Sequence, residues 1–513
     1  MNETAHTLGA SRTFWELIER RAALTPDRPV LIQDDRTLTF GELRTRAERV
    51  AAGLYAMGVR PGTVVAWQLP TRLETVLLSF ALTRIGAVQT PVIPFYRDRE
   101  VGFALRESKA EYFAVPGTWR GFDHTAMAAR LSADLPYPPQ IFEAYDALPD
   151  GDPSTLPPPP TDGTSVRWIY WTSGTTSDPK GVLHTDRSLL AGGSCLAHAL
   201  HLSADDVGSM AFPFAHVAGP DYSVMLLLYG FPAVLFEHFA MPGALAGYRR
   251  HGVTVAGGST AFYSMFLTEQ RKAPSTPLIP TLRLLAGGGA PKPPEIYHAV
   301  VREMGVQLTH GYGMTEVPMI TMGAPDDTVE HLAETEGRPP EGMEIRITDE
   351  DGKRVPYGVD GEVRLRGEAV CRGYLASSTS PFDAEGFLIT GDVGHVRPSG
   401  HLVLTGRLKD IIIRKGENIS AKEIEDLLAR HPGVGDAAVI GLPDQSRGER
   451  VCAVVEQPPG AAALTLPELT AYLRGEGLSV HKLPEQLELV DTLPRNEALR
   501  KVLKYQLRAR FGG

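Results

Sequence analysis

The sequence predicts an α/β protein. It should have a large N-terminal unit of mostly parallel sheets with helices packed on them, a small β-rich subdomain, and a small α+β unit at the C-terminus. Three observations predict this. The 513 residues are too many for one hydrophobic core, so two or more domains are expected. From residue 64 onward, strand-type runs alternate with apolar helix-length segments, the rhythm of parallel strands joined by helical crossovers. Beyond Gly337 the texture changes to short β-type runs punctuated by Gly, Pro and Asp. Beyond Gly406 it becomes a compact mixture of strands and helices, which places the domain boundary there.

In chain order, residues 14–56 read as a helix, a short hairpin and a second helix. Asp34, Asp35 and Arg36 form the turn between strand-like residues 29–33 and 38–40. Thr39 is the expected N-cap of a helix over 40–57, with Glu42 in its first turn. A strand at 64–68, a helix at 73–85 and a strand at 87–92 follow. The proline run at 157–160 is a stiff connector, and it precedes an apolar strand at 166–171. Residues 224–236 are the most apolar stretch, but Gly230 and Pro232 interrupt it and it is too short to span a bilayer. It reads as a buried helix and then a strand. Residues 258–285 and 301–308 repeat the helix–strand alternation. Strands at 344–347, 361–366 and 402–405 build the β-rich part. There is no internal repeat.

Composition narrows the function classes. Hydrophobic residues make up 43% and charged residues 22% of the chain, as in a water-soluble globular protein. The net charge of −10 argues against a nucleic-acid binder, which would carry a basic face. It leaves room for an anionic small molecule in a locally basic pocket. Cys195, Cys371 and Cys452 are scattered and odd in number, so neither a disulfide framework nor a zinc motif is expected. The first fourteen residues lack the apolar core of a signal peptide. A cytoplasmic location fits. Monomer and homodimer both remain open.

The chemistry concentrates in five segments. Thr172, Ser173, Gly174, Thr175, Thr176, Ser177, Asp178, Pro179, Lys180 and Gly181 follow the strand at 166–171. Small residues let backbone N–H groups face an anion, hydroxyls add donors, and Lys180 adds positive charge. Gly287, Gly288, Gly289, Ala290 and Pro291 lie between a strand and a helix, where glycines let a flat ligand approach the backbone. His310, Gly311, Tyr312, Gly313, Met314, Thr315 and Glu316 follow the strand expected to end at residue 308. Tyr312 offers an aromatic face to a purine, Thr315 a hydroxyl to a phosphate, and Glu316 a hard oxygen ligand to Mg²⁺. Thr390, Gly391 and Asp392 read as a turn whose carboxylate can accept hydrogen bonds from two ribose hydroxyls. Gly406, Arg407, Leu408, Lys409 and Asp410 enter an apolar triplet that leads to Arg414, Lys415, Gly416, Glu417 and Asn418.

These segments, with their order and the terminal Arg500-Lys501-Val502-Leu503-Lys504, resemble the adenylate-forming enzymes. That family comprises acyl-CoA synthetases, luciferases and peptide-synthetase adenylation domains. The resemblance runs from Phe14 to Arg508. It implies stacked sheets in a large domain over 1–408, which holds ATP and the acid, and a small mobile domain over 409–513, which carries the catalytic lysine. The implied enzyme is an ATP-dependent, AMP-forming acid–thiol ligase of the carboxylate–CoA type. ATP, Mg²⁺ and CoA are its implied cofactor and co-substrates.

Residue by residue, the resemblance implies that Lys180 and Thr315 act on the phosphates and Glu316 holds the metal. Asp392 and Arg407 would hold the ribose or phosphate, and Lys409 would be the domain pivot. Gly416 and Glu417 would face the site during thioester formation. Lys501 would bridge the acid and the α-phosphate. Three departures stand out. Ser177 replaces a common glycine, and Lys415 stands where a glycine pair usually begins. Arg500 replaces the glycine before the lysine in a loop one residue longer, so counting from Pro494 instead would put Arg500 in the catalytic slot.

The acid pocket implied by the resemblance includes residues 211–220, with His216 as a gate or wall. Asp221 falls out of register with the aspartate that holds an amino group in peptide-synthetase relatives. Val217, Ala218, Gly258, Tyr312 and Val317 suggest apolar walls, suited to a medium-chain, branched, alicyclic or aryl acid without an α-amino group. Arg414, Lys415 and Lys422 are candidates for the CoA nucleotide. Two other readings share the motifs: an enzyme that loads an acyl carrier protein's phosphopantetheine, and a weakened member that binds nucleotide or acyl ligand as a sensor.

Overall fold

The computed structural model describes residues 3–172, 179–377, 380–414, 417–444, 448–495 and 500–512. Three sheets form the large α/β part, and each carries one antiparallel edge pair on otherwise parallel pairing. In the six-stranded sheet, Val64–Trp67, Val88–Pro91, Tyr112–Val115, Gln140–Glu143 and Val166–Trp171 run parallel, and Gly181–Thr185 returns antiparallel beside Val166–Trp171. A four-stranded sheet pairs Val255–Gly258, Leu284–Gly288 and Gln307–Met314 in parallel and adds Val317–Met322 antiparallel. The third holds Gly208–Met210, Ala233–Leu235, Pro29–Gln33 and Arg36–Thr39.

The layers are stacked on apolar helices. Every residue of Leu73–Ile85 is buried, and the helix touches strands of two different sheets. Its apolar residues cover every face and its charged Glu74 and Arg84 pair with Arg36 and Glu48, so no face is left for water. Ala218–Tyr229 is buried over Gly219–Leu228 for the same reason. Leu77→Ala at such a site would cost about 2–5 kcal/mol. Buried polar groups tie the N-terminal helix to the phosphate-loop strand. Asp186 accepts from the Phe14 amide at 3.1 Å and from Trp168 Nε1 at 3.0 Å.

Local signals hold where they concern one element. Thr39 caps Phe40–Ala56 and closes a capping box with Glu42. The first hairpin turns at Asp34, whose φ is 53°. Its return strand begins at Arg36, and Phe40 starts the helix. An antiparallel sheet of Met343–Thr348, Gly361–Gly367, Leu388–Val396 and Leu402–Arg407 forms the β-rich part.

Two boundaries differ from expectation. Asp392 lies within the strand Leu388–Val396, not in a turn between strands. Gly391 takes a φ of 70°, open to a residue without a Cβ, and Asp392 pairs in register with Arg407. The strand expected to stop at residue 308 continues to Met314. The neighbouring strand requires glycine at 311 and 313. A Cβ on Gly311 would lie 2.5 Å from the Thr321 carbonyl, and one on Gly313 would lie 2.2 Å from that of Pro318.

After Arg407, the short 3₁₀ turn Leu408–Asp410 leads to Ile411–Arg414. A separate sheet follows, with Glu417–Ser420, Asp436–Asp444, Gly448–Glu456 and Gln486–Val490 as its other strands. The helices Ala421–Leu428, Leu466–Gly475 and Lys504–Phe511 accompany it. Arg430 pairs with Glu295 of the α/β part at 2.7 Å. No helix among the described residues is long and apolar enough to cross a membrane.

Candidate active site

The base of the phosphate loop is a pinned antiparallel pair. The Thr172 amide donates to the Lys180 carbonyl at 3.0 Å, and the Lys180 amide donates to Thr172 Oγ1 at 3.2 Å. Ser173, Gly174, Thr175 and Thr176 lie outside the described residues. Lys180 Nζ sits 4.7 Å above the ring of Tyr374. Tyr374 in turn donates its hydroxyl to Glu316 Oε1 at 2.7 Å. Lys180 and Glu316, 136 positions apart in sequence, are therefore joined through one aromatic side chain.

Thr315 and Glu316 form the tight turn between Gln307–Met314 and Val317–Met322. That turn is held from beneath. His184 Nε2–H donates to the Thr315 carbonyl at 2.7 Å, and its Nδ1 lies 2.9 Å from Ser188 Oγ. Burial pushes His184 down to about 4, so it is neutral at pH 7 and acts as a strut. The Glu316 carboxylate is buried, offers hard oxygen and stands beside the Thr315 hydroxyl, a donor set that fits Mg²⁺.

Tyr312, Asp392 and Arg407 form a second cluster. The Tyr312 hydroxyl donates to Asp392 Oδ2, and Arg407 Nε lies 2.5 Å from Asp392 Oδ1. The Asp392 amide donates to Thr390 Oγ1 at 3.0 Å. Burial and the Asp392 carboxylate keep the Tyr312 hydroxyl protonated. Three separately expected residues thus meet around one carboxylate.

The Gly-rich segment joins them through His310, whose Nε2 lies 2.9 Å from the Ala290 carbonyl. Gly288 stands beside Gly311 in register. A Cβ on Gly288 would lie 2.5 Å from the Gly311 carbonyl, so this glycine answers to its neighbouring strand. Gly289 turns the chain at φ 80° before Pro291, whose carbonyl accepts from Thr260 Oγ1 at 2.7 Å. Burial, then the charge of Lys292, pushes His310 down to about 3, which makes it a neutral packing group.

The charge of Lys501 is felt at His216. The Ala218 amide donates to His216 Nδ1 at 3.2 Å. Burial and the positive charge of Lys501 push His216 down to about 4. Arg500 is placed differently. Its φ is 58°, and its carbonyl accepts from Arg495 Nη1 at 2.6 Å. Lys409 lies in the 3₁₀ turn between the β-rich part and the C-terminal sheet. Glu417 begins a strand there. Gly416 and Lys415 lie outside the described residues, as do residues 496–499. The other expected CoA contacts are engaged: Arg414 pairs with Glu485 at 2.6 Å and Lys422 with Asp426 at 2.6 Å.

Asp221 emerges as a buried carboxyl of the same region. It faces helix Asp186–Ala199, where a Cβ on Gly192 would lie 3.3 Å from each of its oxygens and from Pro318. Among the described residues its Oδ1 has no hydrogen-bond partner, and neither has the nearby Tyr170 hydroxyl. Burial raises its pKa well above the usual carboxylate value. The unfolded chain releases this proton near pH ~3.9, whereas the folded chain holds it to higher pH. Stability is thus present in acid and lost as pH rises, by about 1.4 kcal/mol for each pH unit in which only the unfolded form is ionised. Asp221→Asn should match the parent's melting temperature near pH 4 and exceed it at pH 8. An equal gap at both pH values would contradict a protonated Asp221.

His184, Tyr374 and Asp221 escaped the sequence reading or were set aside in it. Alternation in Gly181–Thr185 marks His184 as inward-facing, but nothing local links it to Thr315, 131 positions away. Tyr374 and Asp221 carry no motif at all.

The AMP-binding enzyme family matches residues 18–375, and its C-terminal domain matches residues 423–498. The chain belongs to this family. It is an enzyme of the AMP-forming carboxylate-ligase kind. Among relatives, it is 34% identical to a salicyl-AMP ligase / salicyl-S-ArCP synthetase of Mycobacterium tuberculosis, over 94% of this chain and 88% of that one. It is 30% identical to a medium-chain fatty-acid–CoA ligase of Escherichia coli, over 96% and 89%. Its fold matches the o-succinylbenzoate coenzyme A synthetase of Bacillus subtilis in complex with ATP and magnesium ion. The TM-score is 0.82 at 28% identity, covering 96% of this chain and 98% of the other.

Proposed function

We propose that this enzyme activates a carboxylic acid with MgATP and passes the acyl group to CoA. In the first step a carboxylate oxygen attacks the α-phosphorus and pyrophosphate leaves with the electrons of the broken P–O bond. In the second step a thiol sulfur attacks the acyl carbon, loses its proton to solvent, and AMP leaves. The first step brings two anions together, so positive charge has to be supplied where negative charge builds up.

The observation that supports this reading most is the link from Lys180 through Tyr374 to Glu316, which sets a cation beside the expected metal ligand. Lys501, whose charge lowers the pKa of His216, would span carboxylate and phosphate. Lys180 would neutralise the outer phosphates. Asp392, held by Tyr312 and Arg407, would accept from the ribose hydroxyls. Thr315 and Glu316 would hold Mg²⁺, which when bound offsets phosphate charge. After adenylation, a rotation near Lys409 would withdraw Lys501 and bring the Gly416–Glu417 segment over the site, a hinge of the kind that pivots on a few residues.

The apolar residues Val217 and Val317, both buried, favour a medium-chain, branched, alicyclic or aryl acid. The named substrates of the salicylate and medium-chain fatty-acid relatives fall in the same range. The ion-paired state of Arg414 and Lys422 keeps a second acceptor in view, a carrier protein's phosphopantetheine, as the name of the salicyl relative implies for that protein.

The test is pyrophosphate release with MgATP across fatty, alicyclic and aromatic acids, with and without CoA, following products by mass. An acyl-CoA product with AMP is expected. Acyl-AMP that accumulates without consuming CoA would overturn CoA as the acceptor, and no pyrophosphate with any acid would overturn the activation itself.

A further inference from the structure

A cluster of metal-ligand side chains lies outside the residues assigned to nucleotide and acid. Asp327 follows the strand Val317–Met322, His331 lies in the helix Val329–Glu334, and His401 immediately precedes the strand Leu402–Arg407. One ligand atom from each lies within 4.8 Å of the others. The His331 and His401 rings are stacked, with centroids 3.8 Å apart. His401 Nε2 is 3.3 Å from Asp327 Oδ1, and these side chains are 3% and 6% exposed.

Among the described residues, the buried His401 Nε2 faces Asp327 Oδ1 at 3.3 Å and has no other polar partner. The ring's other nitrogen, Nδ1, is 2.9 Å from Ser399 Oγ. When Nδ1–H donates to Ser399, Nε2 turns a lone pair toward a carboxylate oxygen. Two lone pairs facing each other in a buried place are unfavourable until a cation stands between them.

We propose that Asp327, His331 and His401 form a binding site for a divalent transition metal of the zinc type. Two imidazoles and a carboxylate are a zinc-like donor set, with room for water as the fourth ligand. Tetrahedral ligands about 2.0 Å from a metal stand about 3.3 Å apart. The His401–Asp327 pair already has that spacing, and His331, half-buried on its short helix, closes the rest by side-chain rotation.

The surroundings supply the outer hydrogen bonds such ligands need. Ser399 orients His401. The Ala324 amide donates to Asp327 Oδ2 at 2.9 Å, and Arg338 donates to Asp327 Oδ1 at 2.9 Å. The Arg338 charge opposes a second cation, so it weakens the site without removing a ligand. A bound metal would tie three segments that otherwise meet through Arg397, paired with Glu330 at 3.0 Å and Glu334 at 2.7 Å. The role is structural. It steadies the Thr335–Gly337 connection, whose Glu336 lies 3.6 Å from His310.

The test uses the full chain, stripped with chelator and dialysed against micromolar Zn²⁺, with bound metal counted and Co²⁺ absorption recorded in parallel. The parent should retain one zinc and show visible Co²⁺ bands. His331→Ala should bind roughly 100-fold more weakly and lose the bands, while keeping the parent's circular dichroism. Asp327→Asn, which preserves shape, should weaken binding in the same direction. Zinc retained equally by parent and variants, or by none of them, would overturn the site.

Discussion

Lys501→Ala should slow acyl-adenylate formation by about 10²–10³-fold, the usual cost of removing one group aimed at charge that builds up in the transition state. Transfer from preformed acyl-AMP to CoA should change little, because Lys501 acts only while carboxylate and phosphate are joined. The physical basis is that the Lys501 ammonium would neutralise the two anions joined in that step; its charge already lowers the pKa of His216. Arg500→Ala is the informative comparison. Arg500 holds a left-handed backbone and presents its carbonyl to Arg495, so its side-chain truncation should leave adenylation within a few-fold of the parent. The two half-reactions are measured separately, as pyrophosphate burst and as thioester from added acyl-AMP. An equal loss in both for Lys501→Ala, or a larger adenylation loss for Arg500→Ala, would refute the assignment.

Glu316→Gln should lower adenylation roughly 100-fold and raise the Mg²⁺ concentration needed for half-maximal rate. Glutamine keeps an oxygen for the Tyr374 hydroxyl, so the 2.7 Å bond survives while the negative charge is lost. Tyr374→Phe separates the two contributions. It leaves the charge but frees the carboxylate to rotate, and should cost about tenfold, as outer-shell partners of metal ligands do. A Mg²⁺ titration of initial pyrophosphate rates reads both variants. An unchanged Mg²⁺ requirement in Glu316→Gln would remove Glu316 from the metal.

What was legible in the sequence follows the range of the interactions that decide it. The helix Leu73–Ile85 and the Thr39 cap depend on neighbours three or four residues away, and both stand as read. Around Gly311 and Asp392 the local reading of the backbone failed. Gly391 and Asp392 look like a turn until Arg407 pairs with Asp392 across the sheet. At Gly311 and Gly313 the carbonyls of Thr321 and Pro318 occupy the space a Cβ would need. Side chains that brace the site without a motif, His184 beneath Thr315 and Tyr374 against Glu316, could not be found from sequence. Their partners lie 131 and 58 positions away. Their only local signal is inward-facing polarity, which many core residues share.

The central claim is that an acyl-adenylate links ATP cleavage to thioester formation, and an oxygen label tests it most directly. A productive acid labelled with ¹⁸O in its carboxylate is turned over with MgATP and CoA, and the AMP is weighed. If the carboxylate attacks the α-phosphorus, the bridging oxygen leaves with the phosphate, and each AMP carries one ¹⁸O. Unlabelled AMP, with the label in pyrophosphate or wholly retained in the thioester and water, would contradict the account.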